Sequence, residues 1–254
     1  MKRSWGLELE FGDVRRDLII PKELGSWNYT ERDIVNQREP YWGIAADPLG
    51  IDPPVGGEIN TIPTDDYREQ IVIFEKLKQF FIDHDCPPTA SCVSNTHVHL
   101  RIPGLRNDLF LLKRFFKETY RRQDRFVRKV YGIGPQRHPY INDDSGRKYS
   151  EEASMAIMNA KTCPEFFSRC VYNPKKATER YLVNFMSLVK NDTLEFRFFR
   201  CTTETKHIEG ILSFCNLFVE NVVNNVPMSY DYDFPKLEYD EELFNSWIKT
   251  RKRD

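Results

Sequence analysis

The sequence predicts an α+β fold, an antiparallel or mixed sheet packed against helices, and three observations carry that expectation. Strand-like runs occur at 6–11, 57–62, 91–102 and 193–199, each short, alternating and bounded by Gly, Pro, Asn or Asp. Amphipathic helices separate them. The spacing lacks the regular strand–helix rhythm of a wound parallel sheet.

The clearest helix covers 65–84, where Tyr67, Ile71, Phe74, Leu77 and Phe81 recur every three or four residues and Pro87 and Pro88 follow the end. A second begins at Asn107 or Asp108, both capping residues, carries Leu109, Leu112, Phe116 and Tyr120, and ends by Gly132. A third starts after Thr202 and Thr203 with Glu204 in its first turn, and places Ile208, Ile211, Cys215, Phe218 and Val222 on one face. A short C-terminal helix over 240–249 buries Leu243, Phe244 and Trp247. Segment 20–56, rich in Trp, Tyr and Pro, reads as a long irregular arm of one domain spanning 1–254.

At 254 residues and 40% apolar content the chain can bury one sizeable core, and its 18 Phe, 12 Tyr and 4 Trp require one. No run approaches the ~20 apolar residues of a membrane span, and the N-terminal segment meets Glu8 and Glu10 where a signal peptide would be apolar. No membrane partner and a cytoplasmic location are expected. Six scattered cysteines form no CxxC pair, which argues against structural zinc and for free thiols. A formal charge of −1 gives no global attraction to nucleic acid.

The polar positions of the strands are more specific. Side chains alternate along a strand, so Leu7, Leu9 and Phe11 share one face while Glu8 and Glu10 share the other, roughly 6.6 Å apart at ~3.3 Å per residue. The same parity sets Glu58 and Asn60 against Ile59, His97, His99 and Arg101 against Val98 and Leu100, and Glu195 and Arg197 against Phe196. A solvated face produces alternation too. It usually carries Thr, Ser, Lys and mixed charges; here every strand offers metal- or phosphate-competent groups. Two carboxylates ~6.6 Å apart repel by roughly 2.5 kcal/mol at an effective dielectric of ~20. A divalent cation relieves that repulsion, and Arg101 and Arg197 offer planar forks for phosphate oxygens. The set suits a nucleoside triphosphate held by Mg²⁺. Neither GxxxxGK[ST] nor GxGxxG occurs, so metal and arginine would have to hold the phosphates.

Gly6-Leu7-Glu8-Leu9-Glu10-Phe11, Gly57-Glu58-Ile59, His97-Val98-His99, Tyr181-Leu182-Val183-Asn184 and Thr193-Leu194-Glu195-Phe196-Arg197, in that order, resemble the signature of the amidoligase family. That family is related to glutamate–cysteine ligase and glutamine synthetase. The resemblance implies a curved sheet of that catalytic fold. It also implies ATP and Mg²⁺ as cofactors, and an amide bond formed between a carboxylate and an amine, small molecule or peptide, through an acyl phosphate. Glu8, Glu10 and Glu195 would be metal ligands with Glu58 a fourth, and Arg197 would contact the transferred phosphate. His97 and His99 would line the pocket, and Arg180 and Asn184 would lie near substrate. Two positions depart from the pattern: Asn95-Thr96 stands where a small residue is usual, and Cys201 where a Gly is usual before Thr202. Both are expected to narrow the pocket.

Two rivals come from other classes. His97-Val98-His99-Leu100-Arg101 also resembles the first-strand metal motif of amidohydrolases, which would need a (β/α)₈ barrel and further histidines, and only His138 and His207 follow. A nucleic-acid or acidic-partner binder would rest on the basic stretch 113–129, from Lys113, Arg114 and Lys117 through Arg121, Arg122 and Arg125 to Arg128 and Lys129. These eight cations spread around more than half of a helix, so a solvated surface explains them better. Trp27, Tyr29, Tyr41 and Trp42 either stack on adenine or substrate or form a satellite core, Asp47 is a further acid for the mouth of the site, and Cys201 is a packing residue.

Overall fold

A computed structural model of the chain describes residues 2–11, 14, 18–27, 57–89, 95–131, 148–171 and 181–226, with side chains for all of these but 125–131 and 200. The strands are β1 (Ser4–Phe11), β2 (Gly25–Trp27), β3 (Gly57–Thr61), β4 (Asn95–Arg101), β5 (Val183–Asn184) and β6 (Leu194–Arg200). They form one six-stranded sheet in the order β2-β3-β1-β4-β6-β5. All five pairings are antiparallel, which settles the α+β class and leaves no place for the parallel barrel that the amidohydrolase reading needs.

The helices are α1 (Tyr67–Asp83), α2 (Leu109–Tyr131), α3 (Glu151–Met158), α4 (Cys163–Arg169), α5 (Ser187–Lys190) and α6 (Thr205–Asn224). Asp66 caps α1 by accepting from the Arg68 N–H, and Asp108 caps α2 by accepting from the Leu111 N–H at 2.9 Å. The apolar stripes lie where periodicity puts them: Phe74, Leu77 and Phe81 of α1 and Ile208, Ile211, Cys215, Phe218 and Val222 of α6 are buried. They meet Leu7, Leu9 and Phe11 of β1, with Phe11 ring centroids 6.1 Å from Phe74 and 6.4 Å from Phe81. Each such side chain contributes about 1.5–3 kcal/mol. No helix among the described residues is long and apolar enough to cross a membrane.

Helices α3 and α4 are absent from the sequence expectation because eight and seven residues are too short to display a periodic stripe. Their caps were the available signal: Ser150 accepts from the Ala153 N–H and Thr162 from the Glu165 N–H. Part of the 20–56 arm is ordered as β2, where Trp27 stacks near Phe81 at 5.8 Å and donates to the Leu18 carbonyl at 2.8 Å, a packing role. Tyr29, Tyr41, Trp42, Asp47 and the helix expected over 240–249 lie outside the described residues.

The sheet breaks once. Beyond Glu8↔Asn60 the pairing of β1 with β3 stops, and it resumes one residue out of step at Trp5↔Thr64. Gln70 of α1, fully buried, fills the gap: its Nε2 lies 2.8 Å from the Trp5 and Ile62 carbonyls, and its Oε1 accepts from the Thr61 hydroxyl at 2.6 Å. The Thr61 oxygen in turn accepts from the Leu7 N–H at 2.7 Å. Gln70→Leu takes the donor from the Ile62 carbonyl, at a cost of about 1–3 kcal/mol, while the Trp5 carbonyl keeps the Thr64 N–H and the Thr61 hydroxyl keeps its contacts with Leu7. Urea unfolding of that variant is expected to show a loss of about 1–3 kcal/mol against an unchanged m-value.

Candidate functional site

Antiparallel register converts strand parity into a surface. On the face away from Leu7, Leu9 and Phe11, Glu8 stands opposite both Asn60 and His97, Glu10 opposite Glu58, and His99 opposite Gly6 and Glu195. Glu195 also faces Asn184 on β5. A β-bulge then sets Arg197 and Phe198 against the single residue His97. The bulge is why Phe198 and Phe199 are consecutive and both fully buried, and it leaves Arg197 on the polar side.

The polar side chains close on one another. His97 Nδ1 donates to Glu8 Oε1, and His99 Nε2 lies 3.3 Å from Glu8 Oε2, so Glu8 sits between two imidazoles. Arg197 donates to Glu195 Oε1, while Asn184 Nδ2 donates to Glu195 Oε2 at 2.7 Å. The Asn95 backbone N–H donates to Glu10 Oε2 at 2.7 Å. Thr193 Oγ1, 3.1 Å from His99 Nδ1, holds that ring from the other edge. Side-chain exposure is only 1% for His97 and 5% for Glu195, so these charges interact through protein rather than water.

Two ligand sets emerge, Glu8–Glu10–His97 and Glu8–His99–Glu195, each with its three donor atoms within 4.8 Å of one another and with Glu8 common to both. His97 Nε2 is fully buried with no hydrogen-bond partner, and it faces Glu10 Oε1 at 3.9 Å. His99 Nε2 faces Glu195 Oε1 at the same 3.9 Å. That separation is too long for a hydrogen bond. Two ligands on ~2.1 Å bonds to an octahedral cation lie ~3.0 Å apart when adjacent and ~4.2 Å when opposite, so 3.9 Å leaves room for an ion between the two groups once the side chains adjust. Each set offers two carboxylate oxygens, which suit hard divalent cations, and one imidazole nitrogen, which suits first-row transition metals.

Burial opposes ionisation throughout the cluster, and the neighbours decide the outcome. Burial works against a charge on Glu8, but His97 and His99 outweigh it and hold the carboxyl well below its ordinary range. Burial raises Glu10, and with the repulsion of Glu8 added it prevails over His97, the Asn95 N–H and Arg197, which pull the other way. Burial and the Arg197 guanidinium oppose a charge on His97, yet Glu8 and Glu10 prevail and its pKa is raised. Glu195 is lowered: burial resists, and Arg197 and the two imidazoles overcome it.

Of the residues expected at the site, Glu8, Glu10, His97, His99, Glu195, Arg197 and Asn184 converge. Glu58 lies beside Glu10 but joins neither ligand set. Arg101 stands at the strand's outer end and pairs with Asp192 at 2.7 Å. Arg180 lies outside the described residues. Thr96 does not narrow the site, because its side chain is buried on the core face, and Cys201 is likewise buried. Thr193 was overlooked, although it shares parity with Glu195 and Arg197. On α2, Arg114 donates to the Val222 carbonyl and Arg122 donates to Glu118 at 3.2 Å, which commits two of the basic residues to packing. No family model matches this chain, and no curated protein matches it either.

The pair His97–Glu8 has a definite pH signature in metal-free protein. A raised His97 contributes stability that is complete below its unfolded pKa of 6.5 and is lost as pH rises through the folded value. A lowered Glu8 contributes stability that is complete above 4.5 and is lost as pH falls through the folded value. With chelator present, Tm is therefore expected to fall from pH 5.5 to 8.5, and His97→Gln to flatten that slope. A native profile that climbs over the same interval would reverse the assignment.

Proposed function

We propose that this protein is an ATP- and Mg²⁺-dependent ligase of the amidoligase type, joining a carboxylate to an amine through an acyl phosphate. One observation carries the reading: three strand carboxylates and two imidazoles gather around two sites that share Glu8, with a buried guanidinium alongside. Three carboxylates against Arg197 and a protonable His97 leave the cluster short of positive charge. A divalent cation supplies it and, when bound, neutralises phosphate oxygens. The antiparallel sheet is taken as the curved glutamine synthetase-like catalytic fold.

Within that reading Glu8, Glu10 and His97 hold one cation and Glu8, His99 and Glu195 a second. Arg197, fixed by Glu195, aims its fork at the transferred phosphoryl group. The bond from γ-phosphorus to the ADP oxygen breaks as one to the substrate carboxylate forms. The amine nitrogen then bonds the acyl carbon, the C–O bond to phosphate breaks with its electron pair on the leaving phosphate, and the nitrogen gives up a proton. Asn184 and Asn95 orient carboxylates that would otherwise repel one another.

Calorimetry tests this. Mg-ATP is expected to bind the native protein, and Glu195→Gln to abolish the binding signal. Glu10→Gln is expected to weaken Mn²⁺ by about tenfold or more, the scale of even outer-shell changes around a metal. The same variant is expected to raise Tm at neutral pH, because a carboxyl with a raised folded pKa destabilises the native state once ionised. Unchanged titrations in both variants would remove these carboxylates from any metal site.

A further inference from the structure

A cavity of about 350 Å³ opens beside the cluster, where β1 and β3 separate. Its walls include Ser4, Asn60, Asn191 and Thr193, with Glu8 and His99 on the side toward the ligand sets. Gly6 forms its floor. That residue has the parity of Glu8 and lies opposite His99, so any side chain there would project from the same face. A Cβ built at Gly6 meets nothing nearer than Thr61 O and Oγ1 at 4.0 Å, so the backbone tolerates a side chain and the space it would fill is open.

The chemistry of the walls is selective. They hold no lysine or arginine, so a carboxylate or phosphate would find no fixed cation there. Arg101 lies opposite Ser4 but turns to Asp192 and is not part of the lining. Apart from the His99 imidazole and the apolar Trp5, Leu7 and Pro63, the lining side chains offer oxygens: hydroxyls, side-chain amides and the Glu8 carboxylate. Oxygens of that kind accept from N–H donors. Arg197, the buried guanidinium suited to phosphate, does not line this cavity. The polar face thus carries Arg197 on one side of Glu8 and, on the other, an acceptor-lined cavity with no lysine or arginine.

We infer that the cavity over Gly6 is the subsite for the amine, that it takes a small primary amine, and that the missing side chain at position 6 sets the space available. The inference rests on the ligase reading for its reaction, but its binding chemistry stands separately. A volume of about 350 Å³ is at the lower end of ligand pockets, which favours a compact amine over a polymer.

Saturation-transfer NMR with glycinamide and ethylenediamine as probes, and acetate as the anionic control, tests it in the full chain with Mg²⁺ present. Both amines are expected to give signals with native protein and acetate none. Gly6→Val is expected to weaken the amines by about tenfold or more, as a filled pocket does, and Gly6→Ala to weaken them less. Mn²⁺ affinity, measured in parallel, is expected to stay within about twofold of native because position 6 is no ligand. Amine signals that ignore position 6, or acetate binding that follows it, would overturn the inference. Should Gly6→Val fail to fold, Gly6→Ala decides, since its Cβ meets no close atom. If native protein binds no Mn²⁺ while the amine signals track position 6, the ligase reading falls and the subsite stands. If Mn²⁺ binds and the amines do not track position 6, only the subsite falls.

Discussion

Three carboxylates, two on β1 and one on β6 across the intervening β4, cannot be buried together unless positive charge is placed among them, and that constraint organises the polar half of this protein. At ~4–6 Å and an effective dielectric near 20, each pair repels by roughly 3–4 kcal/mol. The chain offsets this with groups drawn from several strands: His97 and His99 against Glu8, Arg197 and Asn184 against Glu195, and the Asn95 N–H against Glu10. The compensation is uneven. Glu8 and Glu195 are held ionised, whereas Glu10 is left with a raised pKa beside an imidazole nitrogen that has no partner. A site built for stability alone would replace such groups with apolar ones.

The helix layer makes this possible by bearing most of the stability itself. Leu7, Leu9 and Phe11 bury one face of β1 against α1 and α6 while Glu8 and Glu10 occupy the other. Because the period of a strand is two, the register that buries the leucines is the register that aligns the acids. A one-residue slip would exchange them. Fold and site are therefore fixed by the same pairing, and the Gln70 plug protects it at the place where β1 and β3 part.

Much of this was legible in the sequence, and the limits have physical causes. Alternation in β1, β3, β4 and β6 revealed which side chains share a face, and the 3.6-residue stripes of α1 and α6 revealed what the other face packs against. Which carboxylates converge depends on register across strands far apart in the chain, and parity is silent about that. Hence Glu58 and Arg101, equal in parity to their neighbours, stand apart from the ligand sets, while Asn184 comes directly onto Glu195. The β6 bulge was written in Phe198-Phe199, two consecutive apolar residues in an alternating strand, which only a bulge can bury together. Short β2, β5, α3 and α4 carry too few residues to show a period.

The two irregularities of the sheet have complementary effects. Alternation alone puts Arg197 on the acidic face beside Glu195, and the bulge opposite His97 turns both Phe198 and Phe199 into the core just beyond it. The break between β1 and β3 opens a cavity over Gly6 on the other side of Glu8, lined without a fixed cation. In the proposed reading an anion would lie against Arg197 and an N–H donor over Gly6, and Glu8 belongs to both ligand sets between them. The proposed reaction, which brings an activated acid to an amine, would use that polarity.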